Sequence, residues 1–222
     1  MFLKSLLIEK GIDTIRNIEF HSGLNLIIDE TPNNDAKATG NNIGKTTVLK
    51  LIDFCLGAKQ SIIYSDTETK KEEYELVKEF LQDNNIIITL TLVEDLKDEN
   101  SKKVVVVRNF LTGKNALRLI NGEHIKEKDF DKTLLSYMFP NHNAEKPTLR
   151  QIISHNIRYK DESINNTLKT LNSFASDAEY ETLYLFLLGC NFDEGAKKQE
   201  ILTKIKQENL YKDRLEKKQT KN

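Results

Sequence analysis

An α/β fold is predicted for this chain, with an antiparallel β-lobe in its middle and a long helix at its C-terminal end. Three observations predict it. In "TGNNIGKTTVLKLIDFCLG", residues 39 to 57, apolar residues recur at helical spacing directly behind a strand-like run. Between Ile86 and Ile125 they come instead as short β-branched blocks divided by turn signals. From Asp193 onward the sequence is polar, rich in helix formers and free of proline.

Each element follows from its own pattern. "LKSLLI" and "TIRNIEF" read as short strands, separated by "EKGID", in which Gly11 and Asp13 suit a turn. "GLNLIID", from Gly23, reads as a third strand with Leu24, Leu26, Ile27 and Ile28 buried, and "ETPNNDAKAT" as a polar surface loop. From Lys45, residues Val48, Leu49, Leu51, Ile52, Cys55 and Leu56 mark a helix of about three turns, stopped by Gly57. "ETKKEEYELVKEFL" is helix-favouring, with Tyr74, Val77 and Leu81 on one face.

"NNIIITLTLVED", "KKVVVVRNF" and "ALRLI" are then strands of a β-lobe spanning about residues 85 to 126, and Asn121-Gly122 is a two-residue hairpin signal. "KDFDKTLLSYMF" reads as a helix ending before Pro140, and "DAEYETLYLFLLGC" as another with Tyr184 and Phe186 to Leu188 on its apolar face. "TLRQIISHNIRY" is open between strand and helix. In the tail, residues 197 to 222 carry nine Lys or Arg against four Asp or Glu, which reads as a helix leaving the globule. Its Leu202 and Ile205, followed by Asn209, make only a poor heptad seam.

Composition narrows the class. A length of 222 residues allows one substantial core with an extension, and a net charge of -1 gives no whole-chain footprint for nucleic acid or anionic lipid. Cys55 and Cys190 stand in apolar runs, far from any second Cys or His at metal-ligand spacing, so buried free thiols are expected. No signal peptide is evident, and the apolar runs fall short of the roughly 18 to 20 residues of a membrane span. A cytoplasmic protein without a membrane partner is expected. The histidines His21, His124, His142 and His155 are scattered, with no nucleophile or carboxylate at motif spacing, and read as surface residues.

The segment at residues 39 to 47 carries chemistry. A phosphate loop, G-x-x-x-x-G-K-[ST], wraps phosphates with backbone N–H groups, reaches the terminal ones with its lysine and binds Mg²⁺ through its hydroxyl. Gly44, Lys45 and Thr46 fill the last three places; Thr39 stands at the first and Gly40 one step later. A bare Gly-Lys-[Ser/Thr] arises by composition roughly once per 2000 positions. Gly40, the strand before and the helix after make accident a poor account. Gly40, Asn41, Asn42, Ile43, Gly44, Lys45, Thr46 and Thr47 are therefore the predicted nucleotide cradle, with Lys45 on the β- and γ-phosphates and Thr46 on the metal of Mg-ATP.

The strand pair, "GLNLI", the loop with Asn41 before Gly44-Lys45-Thr46, and the β-lobe together resemble the N-terminal half of an ABC-type ATPase head of the SMC/RecN/RecF group. The segment "GLNLIIDETPNNDAKATGNNIGKTTVLKLIDFCLG" is similar to a bacterial branch of SMC-like coiled-coil ATPases. The resemblance implies a P-loop NTPase fold, with an N-terminal head lobe at residues 1–192 and the start of a coiled-coil arm at 193–222. It also implies ATP and Mg²⁺ as cofactors, a C-terminal lobe carrying Walker B and signature motifs as partner, head-to-head dimers, and action on DNA. By position, Gln151 in "PTLRQII" corresponds to the Q-loop glutamine that senses the metal.

The remainder of such a machine is not evident in the sequence. "ITLTLVED" puts its acids in the order Glu94-Asp95 at a hairpin end, and Gly189 to Phe192 interrupt the run before Asp193-Glu194, so neither reads as Walker B. No catalytic residue is assigned, and ATPase activity is expected only once the other lobe is supplied. Two alternatives stand beside this reading: a compact P-loop kinase or GTPase, although no N-K-x-D motif is present, and a module that binds nucleotide to regulate assembly.

Overall fold

Alternation of apolar and polar residues organises the sheet. The structure, a computed structural model, describes residues 1–28, 44–65, 72–171, 174–190 and 195–219. Strands β1 (Phe2–Lys10), β2 (Asp13–Glu19), β3 (Ile86–Val93), β4 (Lys103–Asn109), β5 (Arg118–Ile120) and β6 (Glu123–His124) form one antiparallel sheet in the order β2-β1-β3-β4-β5-β6. Its register sets Leu6 opposite Leu90, Leu90 opposite Val106 and Val106 opposite Ile120. Because side chains alternate with a period of two, Ile88, Leu92 and Val104 fall on that same face, and all are buried. The Asn121-Gly122 turn has φ of 51° and 85°, the left-handed pair that matches the twist of a two-residue hairpin.

Helix α1 (Lys45–Cys55) contacts this sheet at β3 and β4. Only its second half is in the core: Leu51, Ile52, Phe54 and Cys55 are buried, while Thr46, Thr47 and Leu49 are exposed. Phe54 stacks on Phe110 with ring centroids 4.7 Å apart, fixing the helix over the end of β4. Short α2 (Ser61–Tyr64) and α3 (Glu75–Asp83) lead back to the sheet; α4 (Glu127–Met138), α5 (Leu149–Asn156), α6 (Asp161–Asn165) and α7 (Asp177–Leu187) follow it. Phe130 and Leu134 of α4 and Leu149 and Ile153 of α5 complete the core.

The open choice at residues 148 to 159 resolves as α5. Thr148 and Gln151 form a capping box, each side chain receiving the other's backbone N–H, which satisfies donors that a helix start otherwise leaves unpaired. Ser176 and Glu179 do the same for α7. Helix α8 (Gly195–Gln219) is exposed along nearly all of its described length, with Ile201, Leu202 and Ile205 each about half exposed.

Three expectations are corrected. Residues 24 to 28 belong to no strand, and Leu24, Leu26, Ile27 and Ile28 are exposed rather than buried, because the antiparallel sheet ends at β2 without them. Helix α3 starts only at Glu75, so Tyr74 stands before it as the cap residue rather than on its apolar face with Val77 and Leu81. Cys190 lies past the end of α7 and is exposed, whereas Cys55 is enclosed. The fold class holds at its coarser level, mixed α and β with an antiparallel sheet. The N-terminal strand pair and the β-lobe are parts of one sheet. Among the described residues, no helix is long and apolar enough to cross a membrane.

Burial pushes the Cys55 thiol up to about 12, so it stays protonated and out of reach of thiol reagents. Titration of the native protein with an aromatic disulfide reagent at pH 8 is expected to count one reactive thiol, Cys190, and two after denaturation. Two fast thiols in the native protein would show that α1 is not seated as described. Deletion of residues 197 to 222 is expected to lower Tm by no more than about 4 °C. The segment loses contacts such as Lys198–Glu181 and Ser176–Gln199 and little buried apolar area. A molten or insoluble remainder would place the tail in the core.

Candidate functional site

Gly44 opens α1 in the left-handed region, with φ 74° and ψ 19°, a conformation that glycine adopts without the strain a Cβ brings. Val48 N–H bonds back to Gly44 O at 3.3 Å, so the helix begins immediately after it. A glycine has no side chain with which to cap, and no acidic residue stands in the first turn. The N–H groups of Lys45, Thr46 and Thr47 consequently have no acceptor among the described residues. Unpaired N–H groups and the positive end of the helix dipole coincide at one exposed turn that also carries the Lys45 ammonium. Such a turn attracts an anion of the phosphate type.

The opposite end of α1 is closed. Arg108 of β4 donates from Nη1 to Phe54 O and, at 3.0 Å, to Ala58 O, with its guanidinium carbon 4.0 Å from the Phe54 ring centroid. Arg150 of α5 donates from Nη1 to Leu56 O at 3.0 Å. Arg150 Nη1 also lies 2.8 Å from Asp53 Oδ1, an ion-pair distance although the N–H is not aligned as a hydrogen bond. Tyr159 donates its hydroxyl to Asp53 Oδ2 at 2.8 Å. Burial, reinforced by the Asp53 charge, raises the Tyr159 phenol, which keeps it a donor. Two cations thus meet carbonyls at and just past the C-terminal end of α1, where the dipole is negative.

Of the predicted site residues, Gly44, Lys45, Thr46 and Thr47 come together on this turn, while Gly40, Asn41, Asn42 and Ile43 lie outside the described residues. Gln151 is engaged elsewhere. Its Oε1 accepts from Thr148 N at 2.9 Å and its Nε2 donates to Glu179 Oε1 at 3.0 Å. Its neighbour Arg150 meets α1 near Asp53, about 12 Å along the helix axis from Lys45. Glu94 and Asp95 sit exposed in the β3–β4 hairpin, where Glu94 N–H bonds Lys102 O and Asp95 Oδ1 accepts from Lys97 N–H. Asp193-Glu194 lies outside the described residues. His142 and His155 are half-buried, bonded to Pro147 O and Thr170 Oγ1 respectively, rather than free on the surface. Among the described residues, no cluster of three or more His, Cys, Asp or Glu could hold a metal ion.

No family model matches the chain, and no curated protein matches it. The sequence reading missed Asp53, Arg108, Arg150 and Tyr159, the residues that seat α1. Two of them left a signal: Asp53 interrupts the apolar run "LKLIDFCLG", and Arg108 follows Val104 and Val106 on the inward side of β4.

Arg150→Met is expected to cost about 2 to 3 kcal/mol, because it leaves the buried Asp53 carboxylate and the Leu56 carbonyl without their guanidinium. Urea unfolding measures it. The double variant Asp53→Asn with Arg150→Met should recover part of that loss, since the uncompensated charge is gone. A neutral single variant would show that the ion pair does not hold α1.

Proposed function

We propose that the chain is the ATP-binding N-terminal lobe of an SMC/RecN-type ATPase, a P-loop NTPase that works once a C-terminal lobe completes it. One observation carries the reading: the glycine-led, uncapped and acid-free first turn of α1 is headed by Lys45, Thr46 and Thr47 in the sequence of a phosphate loop. The residues present fit the group. The N–H groups of Lys45 to Thr47 point out of the helix start, and the opposite pole of the dipole is neutralised by Arg108 and Arg150. In this reading Lys45 pairs with the β- and γ-phosphates, the Thr46 hydroxyl meets Mg²⁺, and residues 40 to 47 supply the cradle. Bound Mg²⁺ neutralises charge that develops on the transferred phosphoryl group. Gln151 reaches the metal only on leaving Thr148 and Glu179.

Leu24, Leu26, Ile27 and Ile28 are 76%, 72%, 45% and 64% exposed, and Leu49 on the outer half of α1 is also exposed. A run of exposed aliphatic residues between the sheet and the phosphate turn supports docking of the second lobe there. Exposed α8 supports the arm. Head-to-head engagement and action on DNA rest on the resemblance.

Mg²⁺ with a fluorescent ATP analogue tests the binding step. Lys45→Ala is expected to weaken binding at least about tenfold with an unchanged circular dichroism spectrum, because the exposed turn contributes a ligand rather than packing. Equal affinity in the two proteins would remove the phosphate-loop assignment. Hydrolysis is expected only after the C-terminal lobe is added, with specific activity rising with protein concentration as heads meet. Concentration-independent turnover by residues 1 to 222 alone would favour the compact-enzyme alternative.

A further inference from the structure

The register of β4 and β5 sets Arg108 directly opposite Arg118. Like charges facing each other across an antiparallel ladder repel, and burial already disfavours the Arg108 cation, holding it down to about 10. Both residues line one cavity of about 350 Å³, together with Lys59, Ser61, Thr112 and Glu127. The only carboxylate among those residues is Glu127, paired with Arg118 at 3.0 Å and itself largely in solvent, with its side chain 83% exposed. Arg108 has no carboxylate within ion-pair distance among the described residues, and neither has Lys59. Among the lining residues three cations stand against one carboxylate, and Asp131, outside the lining, is a further carboxylate whose field reaches Arg108.

Arg108 is also only half used. Its Nη1 is spent on Phe54 O and Ala58 O, and the rings of Phe54 and Phe130 hold the guanidinium in place, at 4.0 and 5.1 Å. The Nε–H is buried without any acceptor, and Nη2 has none among the described residues. Nε–H and the adjacent Nη2–H form the side-on fork with which arginine grips two oxygens of one oxyanion. A fixed guanidinium with an idle fork, a second guanidinium across the ladder and a lysine nearby are the parts of a phosphate site.

We propose that this cavity binds a small phosphorylated anion, held by Arg108 and Arg118 with Lys59, at a site distinct from the Lys45 turn. Arg108 lies behind the C-terminal end of α1, and Lys45 opens its N-terminal end, so the two sites occupy opposite poles of one helix. The bound anion relieves the repulsion between the two arginines and gives the idle fork its acceptors.

Pyrophosphate titrated by calorimetry into the full chain carrying Lys45→Ala tests this with the phosphate turn disabled. Saturable one-to-one binding is expected, accompanied by a selective shift of one arginine Nε–Hε resonance in ¹⁵N–¹H spectra. Adding Arg118→Gln or Lys59→Gln, neither of which anchors the core, should weaken it roughly tenfold each. Citrate should bind at least tenfold less well. Absence of binding in the Lys45→Ala protein, indifference to both added substitutions, or equal binding of citrate would each overturn the proposal. The outcomes also separate the two sites. Loss of pyrophosphate binding on Lys45→Ala alone defeats this proposal and leaves the phosphate-loop reading intact. Binding that ignores Lys45→Ala but fails with Arg118→Gln upholds this site and counts against the loop.

Discussion

Everything about α1 depends on how its last turn is satisfied. A helix that ends inside a core leaves carbonyls with no intrahelical donor, and a buried unpaired carbonyl costs about as much as a lost hydrogen bond. Here Phe54 O, Leu56 O and Ala58 O are met by guanidinium groups that arrive from two different elements, Arg108 from β4 and Arg150 from α5. Those contacts, with the Phe54–Phe110 stack, fix the helix against sheet and helical layer together. Gly57 lets the chain turn away with φ 101°, and its missing side chain matters sterically as well, since a Cβ there would stand 2.5 Å from Asp131 Oδ1. Asp131 is itself disturbed by the crowding: burial raises its carboxyl, while Arg150 and Arg108 pull it down.

The anchoring makes the helix asymmetric in a way that bears on chemistry. One end is buried, donor-rich and clamped; the other is exposed, uncapped and free of acids. A first turn held only by its own backbone would fray, and its N–H groups would not stay parallel. Fixing the far half in the core keeps the near half in register without placing any side chain over it. Preorganisation of this kind lowers the ordering cost of holding an anion, which is where binding otherwise loses affinity.

How much of this was legible in the sequence depended on whether the signal was local. The hairpin at Asn121-Gly122, the β-branched run in "KVVVVRN" and the start and stop of α1 at Gly44 and Gly57 are written within a few residues, and the structure has them. The capping box of α5 was equally local, Thr148 and Gln151 three apart, and it competes with the metal-sensing reading of the same glutamine. "GLNLIID" misled because a run of β-favouring apolar residues reports that a segment suits a strand, and only a neighbouring strand can make it one. The anchors of α1 were illegible as partners: Asp53 and Tyr159 are 106 residues apart and Arg108 and Phe54 are 54 apart, so nothing local connects them. Only their wrongness in place, a charge inside an apolar run or on an inward strand position, could have flagged them.

That same distinction bears on how a second lobe would be received. The buried face of the sheet is already complete: Leu6, Ile88, Leu90, Val104, Val106 and Ile120 are covered by α1, α4 and α5 without help from residues 24 to 28. Among the described residues the core thus closes on itself, and association in the proposed reading would join surfaces already formed on this side. Complexes of that kind avoid the folding cost that coupled ordering imposes. The exposed aliphatic run then contributes its burial to affinity, while the open turn of α1 lies at the end of the same connection. Because Arg108 and Arg150 hold the C-terminal half of α1 from within the chain, the seating of the Lys45 turn does not depend on what covers Leu24 to Ile28.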